Sequence, residues 1–131
     1  MPSFPHVLLV DDHAEVRVVL SAIVMRLCPE ATIVEAGDGA LALTLVNERH
    51  PDLIITDYHM PIINGLELVR TLRAEGATMP ILVLSSDISI AETVLAAGAS
   101  TFLLKPFPLT ELKGILRTFL CEGEQARAVG A

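Results

Sequence analysis

Three carboxylates, one hydroxyl group and one ammonium group follow short apolar runs in this sequence. They belong to Asp11, Asp12, Asp57, Ser85 and Lys105. Carboxylates held close together repel one another unless a cation compensates, and hard oxygen ligands suit Mg²⁺. An aspartate carboxylate is also an accepted nucleophile for phosphoryl groups. With Lys105 as a second cation and Ser85 as a hydroxyl donor, the set predicts Mg²⁺-dependent phosphorylation of Asp57.

Asp57 ends the run that organises the chain. Leu53-Ile54-Ile55-Thr56 has the composition of a short, fully buried strand. Pro61 follows soon after and cannot continue a sheet, because it has no N–H to donate. A carboxylate at the carboxyl end of a buried strand occupies the place where open α/β folds keep their ligand sites.

Apolar runs and amphipathic segments alternate along the rest of the chain. Strands are predicted over His6–Val10, Ala31–Ala36, Leu53–Asp57, Ile81–Leu84 and Thr101–Leu104. Helices are predicted over Ala14–Leu27, about Ala40–Asn47, the segment between Asn64 and Gly76, Ser89–Ala97 and Leu109–Leu120. The first two helices are predicted to face inward with Val16, Val19, Leu20, Ile23 and Leu27, and with Leu41, Leu45 and Val46. Asp38 is the expected cap of the second helix, and Gly98 is the expected stop of the fourth.

This βα alternation predicts an α/β fold with a doubly wound, five-stranded parallel sheet and helices on both faces. Right-handed crossovers leave few topologies, of which the order 2-1-3-4-5 fits best. That order makes strands one, three, four and five consecutive neighbours. Their carboxyl ends share one edge, so the polar residues above are expected to converge there.

Length and charge restrict the class of protein. The chain has 131 residues, which suits a single domain over 1–131, with a core of about 6–120 and a short tail at 121–131. A net charge of −7 argues against direct binding of nucleic acid or of an anionic membrane. No apolar run is long enough to cross a bilayer, and the N-terminus lacks a signal-peptide pattern. Cys28 and Cys121 lie far apart and predict thiols rather than a disulfide framework. A cytoplasmic protein is therefore expected.

The ordered set of motifs resembles the receiver domain of two-component response regulators, with a flavodoxin-like fold. The matching residues are Asp11-Asp12, Asp57 with Met60-Pro61, Ser85, Gly98-Ala99 and Lys105-Pro106. The resemblance runs from about His6 to Leu120. It implies that Asp57 accepts a phosphoryl group from the phosphohistidine of a sensor kinase or a phosphotransfer protein. A partner protein or a second copy of the chain would then receive the signal.

The resemblance also implies individual roles. Asp12, Asp57 and the backbone carbonyl of His59 would bind Mg²⁺ directly, and Asp11 would act through water. Ser85 and Lys105 would bind phosphoryl oxygens. Phe102 would turn inward when Ser85 moves, and the Lys105–Pro106 bond is expected to be cis.

Three further hypotheses concern residues around this set. His59 and Asp87 are hypothesised to flank the attacking water and to set the dephosphorylation rate, although both could simply be exposed. Val18, Ala22 and Met25 form an outward apolar stripe on the first helix, a candidate surface for kinase docking. The segment from Ser85 to Gly98 looks shorter than is usual in the family.

Several of these residues also have a simpler structural interpretation. Asp11 or Asp12 could cap the first helix, and Phe102 could be core filler. The scattered histidines His6, His13, His50 and His59 show no metal-ligand spacing.

Three alternative functions remain at this point. A receiver-like binding module without phosphorylation is disfavoured by the intact acidic set. A flavodoxin-type redox protein would need a hydroxyl- and glycine-rich loop after strand one. A Mg²⁺-dependent hydrolase would need another carboxylate soon after Asp57, where Tyr58-His59 stands.

Overall fold

The computed structural model describes residues 4–122, with side chains described for residues 4–120. The strands are β1 His6–Val10, β2 Thr32–Ala36, β3 Leu53–Asp57, β4 Ile81–Ser85 and β5 Thr101–Leu104. The helices are α1 Ala14–Leu27, α2 Gly39–Glu48, α3 Gly65–Ala74, α4 Ala91–Ala97 and α5 Leu109–Arg117. A 3-10 turn, Ile88–Ile90, precedes α4, and a π-helical turn, Thr118–Glu122, follows α5. The predicted tail beyond Glu122 and the thiol of Cys121 lie outside the described part.

The five strands form one parallel sheet in the order β2-β1-β3-β4-β5. The predicted fold class and strand order are therefore confirmed. The three central strands are buried along their whole length, whereas β2 and β5 are partly exposed at the two sides of the sheet. The switch point of the topology lies between β1 and β3, next to Asp11 and Asp57.

Two separate hydrophobic clusters cover the two faces of the sheet. On one face, α2, α3 and α4 bury the side chains Ala42, Val46, Leu68, Leu72 and Val94. On the other face, α1 and α5 with its following turn bury Leu20, Val24, Leu112, Leu116 and Leu120. Helices on both faces are what a parallel sheet of continuous apolar strands requires.

Local sequence sets the ends of several helices. Asp38 caps α2 as predicted, because its carboxylate accepts from the backbone N–H of Leu41 at 2.7 Å. Asn64 and Glu67 form a reciprocal capping box at the start of α3. Gly98 ends α4 with a φ of 119°, which favours glycine. The Arg73 guanidinium donates to the Gly98 carbonyl at 3.0 Å and so fastens α3 to the end of α4.

Some predicted boundaries and helix faces were wrong. Val19 is 58% exposed and Leu41 is 44% exposed. The predicted Leu20 and Val46 are buried, and their buried partners are Val24 in α1 and Ala42 in α2, which were not predicted. In each helix the buried pair is spaced i, i+4, which places both side chains on one face. In sequences this apolar, several faces meet the periodic pattern equally well. The fourth helix also differs from its prediction, since its first residues form the 3-10 turn.

The segment between β4 and β5 contains the shortest of the five α-helices in residues 4–122. Helix α4 has seven residues, whereas α1, α2 and α3 have 14, 10 and 10. None of the helices in the part of the chain that the structure describes could traverse a bilayer.

Candidate functional site

Asp57 is held at the carboxyl edge of the sheet by β3 and by the loop that leaves it. Beyond Asp57, the Tyr58 N–H donates to the Leu84 carbonyl at 2.9 Å, so the loop starts against β4. The Gly65 N–H donates to the Tyr58 carbonyl at 2.8 Å, which seats the first residue of α3 on this loop. A Cβ on Gly65 would lie 2.9 Å from the Tyr58 Cα and 3.0 Å from the Asp57 carbonyl oxygen. The loop after β3 therefore packs so closely against position 65 that only glycine, which has no Cβ, fits there.

Lys105 reaches the same edge from the end of β5. Its Nζ lies 2.8 Å from Asp57 Oδ1, and the Asp57 side chain is 10% exposed. The Lys105 N–H donates to the Ser85 carbonyl at 2.9 Å, and the Lys105–Pro106 peptide bond is cis, as expected. Residues 48 positions apart thus meet at one edge of the sheet, which was the central geometric prediction.

Asp11 is the most deeply buried acid of the site, with 1% of its surface exposed. Burial raises the pKa of the Asp11 carboxyl above its ordinary value, and the nearby charge of Asp57 raises this pKa further. A hydrogen bond from the His13 N–H at 2.8 Å and the charge of Lys105 act in the opposite direction. Asp11 and Asp57 therefore interact across the switch point.

Asp12 is more exposed, with 32% of its side chain accessible. Together with Tyr58, His59 and Met60 it lines an open depression of about 410 Å³ beside Asp57. The predicted direct ligand Asp12 and the predicted ligand residue His59 consequently face one space.

His13 and Arg17 also belong to this edge, although sequence reasoning assigned them no part in the site. The ligand atoms of Asp11, Asp12 and His13 lie within 4.8 Å of one another, so His13 adjoins the acidic pair, a contact that the spacing of the histidines in the sequence did not indicate. The hydrogen bond with Asp11 raises the pKa of the His13 imidazole, and the charge of Asp12 adds to the increase. Arg17 donates to the Asp11 carbonyl and, at 2.9 Å, to the Glu35 carboxylate.

The hydroxyl at the end of β4 is buried, since Ser85 is 1% exposed. The Ser85 Oγ accepts from the Asp87 N–H at 3.0 Å. The Asp87 carboxylate in turn accepts from the N–H and the hydroxyl of Ser89, at 2.9 and 2.6 Å, and these bonds lower the pKa of Asp87. The charge of His59 lowers the pKa of Asp87 to a smaller extent, which indicates an electrostatic interaction between the two side chains.

Phe102 lies on β5 opposite Val83 in the sheet register. Its side chain is half-buried and packs against the cluster under α2, α3 and α4. Phe102 therefore lies on the strand next to that of Ser85, where its ring can change its packing if Ser85 moves.

The charges at the edge do not balance. Three carboxylates, from Asp11, Asp12 and Asp57, face the ammonium group of Lys105 and a histidine, while the charge of Arg17 is paired with Glu35. Such a cluster is stabilised by a bound cation, and its oxygen donors match the preference of Mg²⁺ for carboxylate ligands. The donor set of this structure therefore fits a magnesium ion.

Fold and site together define a doubly wound α/β domain with an acidic centre at its topological switch point. The chain belongs to the response regulator receiver domain family, whose model matches residues 7–117. It is thus a signalling domain of the two-component class, whose members work with sensor kinases.

Individual relatives agree with this assignment. The response regulator MprA of Mycobacterium sp. (strain KMS) is 41% identical over 117 residues, covering 87% of this chain and 50% of that protein. The transcriptional regulatory protein PrrA of Mycobacterium tuberculosis is 39% identical over 118 residues, covering 88% of this chain and 50% of that protein. The chain spans about half the length of these curated relatives.

Solved structures are similar over nearly the whole domain. The receiver domain of the Francisella response regulator 1452 gives a TM-score of 0.81 at 26% identity, covering 91% of this chain and 98% of that one. The receiver domain of the sensor histidine kinase PA1611 from Pseudomonas aeruginosa gives 0.78 at 28% identity, covering 90% and 98%. That structure is described as having a magnesium ion coordinated in its active-site cleft.

Proposed function

We propose that this domain accepts a phosphoryl group on the Asp57 carboxylate from a phosphohistidine of a sensor histidine kinase or a histidine phosphotransfer protein. The observation that carries the proposal is the contact of 2.8 Å between Lys105 Nζ and Asp57 Oδ1, at an edge that also holds the buried Asp11. The Asp57 carboxylate is the nucleophile, and the Lys105 ammonium group and the Asp11 carboxylate lie beside it at the same edge. The domain acts as a signalling phosphoacceptor rather than as an enzyme with a separate substrate.

In the transfer, an Asp57 carboxylate oxygen forms a bond to phosphorus while the bond from phosphorus to the donor imidazole nitrogen breaks. The released imidazole nitrogen then takes up a proton from solvent. Lys105 is placed to stabilise the charge on a phosphoryl oxygen, and Ser85 has a hydroxyl proton to donate to another.

Mg²⁺ would be held by the carboxylates of Asp12 and Asp57 and by the backbone carbonyl of His59, with Asp11 acting through water. When bound, the ion supplies positive charge that offsets the carboxylates and the transferred phosphoryl oxygens. The exposed Asp12 and the depression it shares with His59 support this assignment.

The proposed switch couples Ser85 to Phe102. Movement of the Ser85 side chain toward the phosphoryl group would give up its bond with the Asp87 N–H and open space for the half-buried Phe102 ring. Only a few kcal/mol of bias is needed to shift such a two-state element, about what new phosphoryl contacts can supply.

His59 and Asp87 are the proposed rate-tuning pair for hydrolysis of the phosphorylated Asp57. The proposal is supported by the electrostatic influence of His59 on Asp87 and by the position of His59 in the depression that Asp12 also lines. Substituting either residue should change the lifetime of the phosphorylated form, followed by intact mass after removal of the phosphodonor. An unchanged lifetime in both His59→Ala and Asp87→Ala would refute this role.

The outward stripe of α1 is the proposed docking surface for the kinase or the phosphotransfer protein. Val18 is 63% exposed, Met25 is 41% exposed, and Ala22 lies exposed between them. The double variant Val18→Ser/Met25→Ser should slow transfer from a phosphorylated histidine phosphotransfer protein and leave the rate with acetyl phosphate unchanged. The signal would then pass to an output partner or to a second copy of the chain.

Acetyl phosphate tests the central proposal without a kinase. Incubation with Mg²⁺ and acetyl phosphate should add one phosphoryl group by intact mass, and Asp57→Asn should add none. Chelation of Mg²⁺ with EDTA should suppress the gain in the unaltered protein. A gain that persists in Asp57→Asn would place the acceptor elsewhere, and no gain in the unaltered protein would favour a receiver-like binding module.

A further inference from the structure

His13 presents its imidazole to the acidic pair rather than to the helix that it begins. It is the N-terminal cap residue of α1, yet its side chain makes no capping hydrogen bond. Instead, Nδ1 lies 3.2 Å from Asp11 Oδ1 and 3.1 Å from Asp12 Oδ1. The backbone N–H of His13 donates to the same Asp11 oxygen at 2.8 Å, which fixes the residue close to that carboxylate.

These distances match the spacing of neighbouring ligands around one metal ion. Two donors at about 2.1 Å from an ion, and at right angles to each other, lie roughly 3 Å apart. The imidazole nitrogen therefore stands at the separation of neighbouring ligands from an oxygen of Asp12, the proposed direct ligand, and at a similar distance from an oxygen of Asp11. The His13 side chain is 61% exposed, so an approaching ion can reach the nitrogen from solvent.

A nitrogen donor changes which ions a site prefers. Carboxylate and carbonyl oxygens suit Mg²⁺, whereas imidazole suits ions such as Ni²⁺, Cu²⁺ and Zn²⁺. From the geometry we infer that His13 is an additional protein ligand of the cation site, and that it raises the affinity of the site for imidazole-seeking divalent ions relative to its affinity for Mg²⁺. This inference rests on the proposed function, because it uses the same cation site.

A purely hydrogen-bonded His13 would have a different consequence. An imidazole that only donates to Asp11 and Asp12 competes with every cation for the same oxygens. Its removal would then strengthen the binding of all divalent ions to a similar extent. A ligating imidazole, in contrast, contributes to Ni²⁺ binding and little to Mg²⁺ binding.

The ratio of two affinities separates these cases. Isothermal titration of the full chain with Ni²⁺ and with Mg²⁺ gives the two dissociation constants for the unaltered protein and for His13→Asn. We expect Ni²⁺ binding to weaken by about tenfold or more in His13→Asn, while the Mg²⁺ constant changes by less than about threefold. A Ni²⁺-to-Mg²⁺ ratio that stays the same in His13→Asn would overturn the inference.

One matched variant controls for the loss of an imidazole. His50→Asn removes an exposed imidazole from a loop near the opposite edge of the sheet, and it should keep the ratio of the unaltered protein. A ratio that falls equally in His50→Asn would refute the role of His13. Phosphoryl gain by the unaltered protein with Mg²⁺ is read separately, so a failure of Asp57 to accept phosphate remains distinguishable from a failure of His13 to bind metal.

Discussion

The two edges of the sheet both carry polar side chains, but they use them differently. At the amino edge, the Asp52 carboxylate accepts from the His6 N–H at 2.8 Å, and the Ser100 hydroxyl accepts from the Ile81 N–H at 3.0 Å. These side chains complete the hydrogen bonds of strand backbone. At the carboxyl edge, the acids Asp11 and Asp57 lie close to each other and share the positive charge of Lys105.

This difference shows that a polar side chain at the end of a strand does not by itself mark a functional site. A polar group that pairs with backbone stabilises the end of a strand. Acids gathered beside one ammonium group instead repel one another when no ligand is bound. Their presence at this edge therefore indicates that a cation or a phosphoryl group binds there. Substitutions at the two edges test this contrast.

The largest effect is expected where the carboxyl edge is packed most tightly. Gly65→Ala should destabilise the protein by about 1–3 kcal/mol, because its Cβ would press on the backbone of Tyr58 and Asp57. Gly114→Ala is the matched control, since no atom lies within 4 Å of its added Cβ, and it should stabilise α5 by about 0.5–1 kcal/mol. Urea unfolding monitored by circular dichroism measures both changes. Equal effects in the two variants would contradict the close approach at Gly65.

The second prediction concerns charge at the same edge. Asp11→Asn should raise the free energy of unfolding of the metal-free protein by about 1–2 kcal/mol at pH 7, because it removes a buried charge beside Asp57. Asp12→Asn, at the more exposed neighbour, should have a smaller effect. Urea unfolding in the presence of EDTA gives the comparison. Destabilisation by Asp11→Asn would mean that this edge is held together by the acid, as the amino edge is.

The third prediction concerns the amino edge and its dependence on pH. His6 is 7% exposed, its Nδ1 has no hydrogen-bond partner among the described residues, and it lines a cavity of about 70 Å³. Burial lowers the pKa of His6 below its ordinary value of 6.5, the charge of Arg49 lowers it further, and Asp52 opposes the decrease.

Because the folded state resists protonation of His6, the unfolded chain binds more protons as the pH falls below 6.5. The His6 contribution to stability is therefore unimpaired above pH 6.5 and declines on acidification, by at most about 1.4 kcal/mol at pH 5.5. His6→Gln should remove this part of the difference in stability between pH 7.5 and 5.5, measured by urea unfolding. His50→Gln, at an exposed histidine, should retain it, and identical pH profiles for all three proteins would contradict the assignment.

The smallest effect is expected in the loop beside Asp57. Ile62 adopts a positive φ of 71°, which is unfavourable for a β-branched residue, and its side chain is 79% exposed. Ile62→Gly should stabilise the protein by about 0.5–1 kcal/mol, a gain visible as a rise in Tm. Ile62→Ala removes most of the side chain but keeps a Cβ, so it should show little of the gain. A similar rise in both variants would assign the effect to the exposed apolar surface instead.

The sequence was sufficient to predict the sheet and most of the site. Each central strand is a short apolar run whose end is marked by a polar residue or by proline, and parallel pairing then brings Asp57 and Lys105 together. The strand order follows from chain connectivity and from the handedness of the crossovers. Asp38 and Gly98 fixed helix ends by local chemistry alone.

The remainder depends on contacts that local pattern does not encode. Arg17 meets Glu35 only because β2 pairs beside β1, so the contact is set by tertiary packing of an edge strand. The orientation of the His13 ring toward Asp11 and Asp12 is a choice of rotamer. Val19 and Leu41 were wrongly assigned to the core because a nearly uniform apolar helix offers more than one face for burial.

Tyr58 directly follows Asp57, and its ring contacts the His59 ring edge-to-face with the ring centroids 4.9 Å apart. The chain contains no other tyrosine and no tryptophan. Intrinsic fluorescence excited in the tyrosine absorption band, above that of phenylalanine, therefore arises from a single side chain adjoining the acidic centre. The molecule carries its own optical reporter, and stopped-flow kinetics at this centre can be recorded without attaching a dye.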